Sequence, residues 1–340
     1  MRTLFILLAL LASSIQMATV GAQVVSDVEI EKRTSASADS DPKLADDRNN
    51  NRLAPYFVRL HLIRHGETQA NVQNVVLGQG DSPLTENGLA VAHLAAASDD
   101  INGKGLRYWR TYCSDLYRAH RTARIVLCLE DEDGNSIASP DSENDLIVDA
   151  RLRELAKGAR EGYLKKLSYE EAIAERSREA ALSGNNPKID VPKLESIDEG
   201  WERAKSWIDS IVRDASYDYY SSNESNEERK DGQDNNSCNE NERESERKRY
   251  DVFALSHSAL IRTMIHKMVD AELPSTHATT REGSLSIPNL SRTIIDIQAY
   301  ESHPSKNHDA PNPRWTPSLV HLTDVSHLHH ATNNGNAPYL

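Results

Sequence analysis

Apolar runs of strand length alternating with amphipathic, helix-spaced segments predict an α/β protein with a mainly parallel sheet. The strand pattern falls at residues 57–63, 108–113, 146–148, 250–255, 293–299 and 319–322. Two of these runs, Phe57–Ile63 and Tyr250–Leu255, are short and nearly continuous in apolar character, the mark of buried strands. Between them lie helix-like segments. Thr85 to Asp100 carries Leu89, Ala92, Leu94 and Ala95–Ala97 behind a threonine cap. Arg118 to Leu129 turns Ala119, Ala123, Val126 and Leu127 inward. Ser168–Leu182, Ile197–Val212 and Ser258–Val269 complete the helical set.

Bulk properties narrow the organisation. A chain of 340 residues has room for one large domain or two ordinary ones. Its 38% apolar content is low, so a real core is diluted by polar stretches. The net charge of −13 argues against nucleic acid and anionic membrane as partners. Screening acts over about 8 Å at physiological salt, so a few local arginines can still govern one pocket.

At the N-terminus, Arg2, the apolar run Leu4–Ala12 and the small residues Val20-Gly21-Ala22 resemble a secretory signal over residues 1–22. That run is too short to span a bilayer, and no membrane anchor is expected. The expected destination is the secretory pathway, the exterior, or an organelle reached by that route. Cys113, Cys128 and Cys238 suggest neither a disulfide framework nor a metal site. Residues 23–53 read as a disordered linker, and folding is expected from about Ala54 to residue 328, with a flexible tail over 329–340. Two polar stretches, about 130–144 and 216–249, have almost nothing apolar and read as disordered surface insertions. Asn223 and Asn235 lie in glycosylation sequons within the second. A histidine group at His327, His329 and His330 reads as part of a mobile polar end.

Four motifs carry chemistry. Arg64-His65-Gly66-Glu67-Thr68 follows the first strand, and ligands in open α/β sheets bind beyond strand carboxyl ends. Gly66 admits close backbone approach. Arg64 offers a planar fork for phosphate oxygens. A neutral imidazole with one nitrogen held by a carbonyl leaves the other free to attack. Next, Arg118 stands near a helix N-terminus, a position that favours anions. Third, Glu154, with Gly158 and Glu161-Gly162 after it, is a candidate proton donor. Last, His257 ends another strand, with Arg262 one turn into the following helix. A second imidazole there can hold a transferring phosphoryl group.

In that order, these motifs resemble the histidine phosphatase superfamily, with its phosphoglycerate mutase-like fold. Arg64–Thr68 with Asn71, the block Gly78–Thr85 with Gly88, Arg118-Ala119 with Thr122-Ala123, Glu154 with Glu161-Gly162, His257, and Ile287–Ser291 all match family blocks. The resemblance covers about residues 56–328 outside the insertions. It implies a three-layer α/β/α sandwich. It implies transient phosphorylation of His65, with Arg64, Arg118 and His257 around the phosphoryl group. Asn71 and Ser258 are expected to add hydrogen bonds, and Gln79, Gly80 and Thr85 to meet the substrate. Glu154 is expected to protonate the leaving alcohol and then activate water. The family needs no metal or other cofactor, and no metal-ligand cluster is visible in the sequence. The implied partner is a small-molecule phosphate ester.

Two departures bear on function. Ser258 and Ala259 stand where the family usually has glycines. Ala70 precedes Asn71 where mutases typically carry tryptophan, and Arg153-Glu154-Leu155-Ala156-Lys157-Gly158 replaces the mutase block. The Gly-Gln-Gly-Asp loop and the start at Ser168-Tyr169-Glu170-Glu171 look more like the phosphatase branch, which includes fructose-2,6-bisphosphatases. The expected activity is phosphomonoester hydrolysis, with a sugar phosphate as one candidate substrate. A phosphoglycerate mutase and a non-catalytic phospho-ligand binding module stand as alternatives.

Overall fold

A computed structural model describes residues 52–103, 106–131, 135–137, 146–182, 191–227, 247–269, 285–301, 313–326 and 328. Internal contacts divide the chain into two units. Residues 1–48 and 275–285 form one, of which Leu285 alone is described. Residues 49–274 and 286–340 form the other, and everything below belongs to it.

Six strands make one sheet in the order β3-β2-β4-β1-β5-β6. They are β1 (Leu53–Arg64), β2 (Arg110–Cys113), β3 (Leu146–Val148), β4 (Lys248–Ser256), β5 (Arg292–Tyr300) and β6 (Trp315–Asp324). The pairs β3–β2, β2–β4 and β4–β1 are parallel, as expected. β5 runs antiparallel to both β1 and β6. The helices are α1 (Gln69–Val72), α2 (Glu86–Ala96), α3 (Asp99–Asn102), α4 (Tyr117–Val126), α5 (Tyr169–Leu182), α6 (Ile197–Glu227) and α7 (Ser258–Met268).

The central strands are covered on both faces, which explains their continuous apolar character. Side chains of a strand alternate between faces. Tyr56, Val58, Leu60 and Leu62 of β1 are all but inaccessible, and so are Val252 and Ala254 of β4. Helix α6 covers this face, its buried Trp207 meeting Tyr112 edge-on at 5.6 Å between ring centres. Helix α7 packs beside α6. The opposite face presents Ile63, Cys113, Phe253 and Leu255 to Ala92 and Ala95 of α2, Ile101 of α3, and Ala119, Ala123 and Val126 of α4. The result is the expected three-layer sandwich.

Several boundaries differ from expectation. The expected linker ends earlier, because Leu53 already belongs to β1 and Arg52 pairs with Glu301. The stretch 85–100 is two helices, since the chain leaves α2 at Ala97 and Ser98 caps α3. Glu130 opens one expected disordered insertion, yet it is buried against Arg121 and Arg124. The other expected insertion, 216–249, is a helix as far as Glu227 and a strand again from Lys248. Contacts across the chain supply the order that local composition lacks. Tyr219 stacks on Tyr56 at 5.5 Å, and Asp218 accepts from Tyr250 Oη at 2.8 Å and from Lys248 Nζ at 3.0 Å. Asn223 lies on α6 and donates to Tyr219 O. The signal segment, the linker up to residue 51, Asn235, Cys238, His327, His329, His330 and the tail lie outside the described residues.

Candidate active site

Strand register creates the site. Arg64 of β1 pairs with Ser256 of β4, so the next residue on each strand is a histidine, and the two imidazoles emerge side by side. Their ring centres are 5.1 Å apart. The His65 amide donates to Ser256 O at 3.0 Å, which locks the two strand ends together. β2 ends alongside, with Ser114 N donating to Leu255 O. The loop after it leads into α4 and Arg118.

His65 is prepared as a nucleophile. Its Nδ1 lies 2.7 Å from Gly66 O. A carbonyl only accepts, so Nδ1 carries the proton and Nε2 holds a free lone pair. Burial, then the nearby charges of Arg64 and Arg118, hold its proton affinity well below the ordinary histidine value, so the ring is neutral. Asn289 Nδ2 donates to His65 O at 2.8 Å and ties this turn to the segment before β5. Gly66 sits against the start of α2, where a Cβ would lie 3.0 Å from Gly88 O. Its amide donates to Thr122 Oγ1 at 3.1 Å, which joins the turn to α4.

A group of buried nitrogens near the pair has no hydrogen-bond partner among the described residues. They are Arg64 Nε, Arg118 Nε, Arg262 Nε and both ring nitrogens of His257. Buried polar atoms in folded proteins are nearly always hydrogen-bonded, so such a cluster points to a bound anion. The charges sense one another. Burial lowers the Arg64 proton affinity to about 10, with Glu154 opposing and Arg262 and Arg118 reinforcing the shift. Burial also lowers that of His257, and the charges of Arg118 and Arg64 add to it. Arg64, His65, Arg118, Glu154 and His257 therefore share one site.

Each arginine is aimed by backbone carbonyls. Arg64 Nη1 donates to Ile287 O at 2.6 Å. Arg118, almost fully buried, donates to Gly80 O at 2.6 Å and Gly78 O at 2.8 Å, and it pairs with Asp81 at 3.2 Å. Gly78 has φ +52, and a Cβ there would strike Glu161 Oε1 at 2.1 Å. The Gly-Gln-Gly-Asp loop thus needs its first glycine to wrap the guanidinium.

Glu154 accepts from Leu155 N at 2.8 Å, Leu260 N at 3.2 Å and Ala259 N at 3.1 Å. The last two belong to the first turn of α7, whose unpaired N–H groups and positive dipole end suit a carboxylate. Oxygen Oε2 accepts from Ala259 alone, so it retains a lone pair for a proton. Ser258 and Ala259 have ordinary backbone angles, so the conformation here does not require the family's glycines.

The remaining expected site residues are placed less uniformly. Asn71 closes the cap of α1, its Oδ1 accepting from Thr68 N at 3.1 Å, which leaves its amide hydrogens for a ligand. Gln79 reaches the site rim, donating from Nε2 to Glu154 O at 3.3 Å. Gly80 contributes its carbonyl to Arg118 and so shapes the site indirectly. Thr85 departs from the expectation that it meets substrate. Its hydroxyl accepts from Gly88 N at 2.9 Å and donates to Glu67 Oε1 at 2.7 Å, capping α2. Ser258 is half-buried at the start of α7, with no hydroxyl partner among the described residues. Arg121 pairs with Glu130. Sequence reasoning missed the function of Arg203 and Glu195, which brace the segment around Glu154, because no local pattern distinguishes them from surface charges. Among the described residues, no cluster of side chains could hold a metal ion, and no helix is long and apolar enough to cross a membrane.

Residues 60–219 match the histidine phosphatase superfamily (branch 1). The probable phosphoglycerate mutase GpmB of Cronobacter sakazakii is 37% identical over 157 residues, 46% of this chain and 64% of that protein. The GpmB of Yersinia pestis is 33% identical over the same length. The chain thus spans just under two thirds of these relatives. Among solved structures, the phosphoglycerate mutase of Bacillus anthracis aligns with a TM-score of 0.46 at 20% identity, covering 82% of this chain and 97% of that one. A mycobacterial glucosyl-3-phosphoglycerate phosphatase aligns at 0.42 and 22%, covering 77% and 97%. Over residues 60–219, which carry His65, Arg118 and Glu154, the chain is similar to the histidine phosphatase superfamily, and His257 stands beside His65 with 5.1 Å between ring centres.

Proposed function

We propose that the protein hydrolyses the phosphate monoester of a small metabolite, of the sugar phosphate kind, through a phosphohistidine at His65. One observation carries the reading: buried, unpartnered nitrogens of Arg64, Arg118 and His257 face a neutral imidazole whose Nδ1 is already committed to Gly66 O. The Nε2 lone pair of His65 attacks phosphorus, and the bond to the leaving oxygen breaks. Glu154 passes its proton to that oxygen, so the product leaves as an alcohol. Arg64, Arg118 and His257 hold the charge on the phosphoryl oxygens, with the Asn71 amide as a further donor. Water then attacks phosphorus, the Glu154 carboxylate takes its proton, and phosphate departs as Nε2 regains its lone pair.

The test is His65→Ala assayed on an aryl phosphate. Hydrolysis should fall to background, and turnover resembling the wild type would exclude His65 as the nucleophile. A mutase is the second reading, favoured by the names of the similar GpmB proteins. Product analysis with 3-phosphoglycerate separates the two. Free phosphate is expected from the hydrolase, and isomer without free phosphate from the mutase.

A further inference from the structure

The general acid hangs on a short irregular segment, residues 150–156, with no strand or long helix to hold it. Arg203, on α6, holds that segment directly. Its Nη1 donates to Arg151 O at 2.7 Å and to Arg153 O at 2.9 Å, the carbonyls on either side of Leu152 and just before Glu154. The same guanidinium makes a two-pronged pair with Glu195, Nε to Oε1 at 2.9 Å and Nη2 to Oε2 at 3.0 Å. Glu195 Oε2 also accepts from Ala156 N at 3.1 Å, and Glu195 N donates to Ala156 O at 3.0 Å. The segment is therefore gripped before Glu154 by Arg203 and after it by Glu195, and the two grips are one ion pair.

Other contacts complete the brace. Arg153 forms a two-pronged pair with Asp115 at 2.7 and 2.6 Å, on the loop that leads to Arg118. Ser256 Oγ donates to Leu152 O at 2.8 Å, next to His257. Leu155 seats on Gly200 of α6, where a Cβ would come within 2.1 Å of Leu155 Cδ2. These contacts fix the backbone around Glu154, whose carboxyl group is held separately by the amides of Leu155, Ala259 and Leu260.

We propose that Arg203, with Glu195, is a positioning residue that sets the general acid Glu154 for proton transfer to the leaving oxygen. The inference rests on the phosphohistidine reading above. A planar, five-donor guanidinium suits the task, because it can grip two carbonyls and a carboxylate in one fixed geometry. Lysine presents a single flexible point charge and cannot.

Leaving-group dependence tests it. Breaking the bond to a phenol needs a proton from Glu154, whereas 2,4-dinitrophenolate leaves unaided. The parameter kcat/KM reports the steps through phosphorylation of His65. For Arg203→Met, kcat/KM on phenyl phosphate should fall about tenfold to a hundredfold, as expected when acid catalysis is partly lost. On 2,4-dinitrophenyl phosphate it should stay within about twofold of wild type. Arg203→Lys should recover only part of the phenyl phosphate loss. If Arg203→Met does not fold, Glu195→Gln, which removes the charge but keeps an acceptor, should give the same selectivity at smaller size. Equal losses on both substrates, or no loss on phenyl phosphate, overturn the positioning role. Phenyl phosphate turnover by His65→Ala would instead remove the reading beneath it, so the two failures are distinguishable.

Discussion

Thr85 shows how one side chain can look functional in a motif and serve structure instead. It lies within the block that resembles the family's second signature, yet its hydroxyl caps α2 and holds Glu67. Glu67 in turn belongs to the Arg64–Thr68 motif, and its carbonyl crowds Gly88, where a Cβ would lie 2.2 Å away. The glutamate, threonine and glycine of these blocks thus bind the histidine turn to α2. Thr85→Ala should cost about 1 kcal/mol of stability, the usual loss for a helix cap. The KM for an aryl phosphate should not change. Urea denaturation and steady-state kinetics read the two effects separately, and a raised KM at unchanged stability would return Thr85 to the substrate. The histidines were legible because each closes an apolar strand run. Arg203 was not, since the two carbonyls it grips lie 50 and 52 residues away in sequence.

Helix α6 is the element on which the acid side of the site depends. Its inner face carries Trp207, Ile208 and Ile211, all fully buried, and Gly200 and Arg203 lie on the turns before them. Trp207→Ala should cost about 3–5 kcal/mol through lost burial and the cavity left behind. Trp207→Phe should cost less than half as much. The buried indole N–H has no partner among the described residues, so replacing it removes an unmade hydrogen bond along with some volume. Chemical denaturation of both variants checks the order, and a larger loss for Trp207→Phe would refute it. The same helix shows why boundaries resist sequence reading. Residues from Ser216 on are polar enough to look disordered, and contacts from Tyr56, Lys248 and Tyr250, distant in sequence, hold that part of the helix.

Among the described residues, four histidines titrate against the fold. His61, His65, His120 and His257 all bind protons less readily than free histidine, chiefly because of burial. Below their ordinary value of about 6.5, the unfolded chain takes up protons that the folded chain refuses. Stability should therefore decline as pH falls below about 6.5, and these groups make no difference well above it. Carboxylates held low, among them Asp115, Asp218, Asp251 and Asp324, act in the same direction but further into acid. A bound oxyanion favours the charged form of His257. Sulfate, dianionic throughout this range, should raise Tm more at pH 5.5 than at pH 8. Thermal unfolding across pH, with and without sulfate, measures this, and an equal sulfate effect at both values would separate His257 from anion binding.

Local pattern was enough for the strand and helix alternation, for the histidine at each strand end, and for the order of the phosphate-handling motifs. These depend on periodicities and on neighbours within a few residues. Tertiary structure alone decided the rest. The β1–β4 register placed His65 beside His257, the fold wrapped carbonyls of Gly78 and Gly80 around Arg118, and α6 delivered Arg203 to the backbone on which Glu154 stands. Such contacts follow from how whole layers pack, and the free energy that selects them belongs to the packed core and not to any stretch of chain.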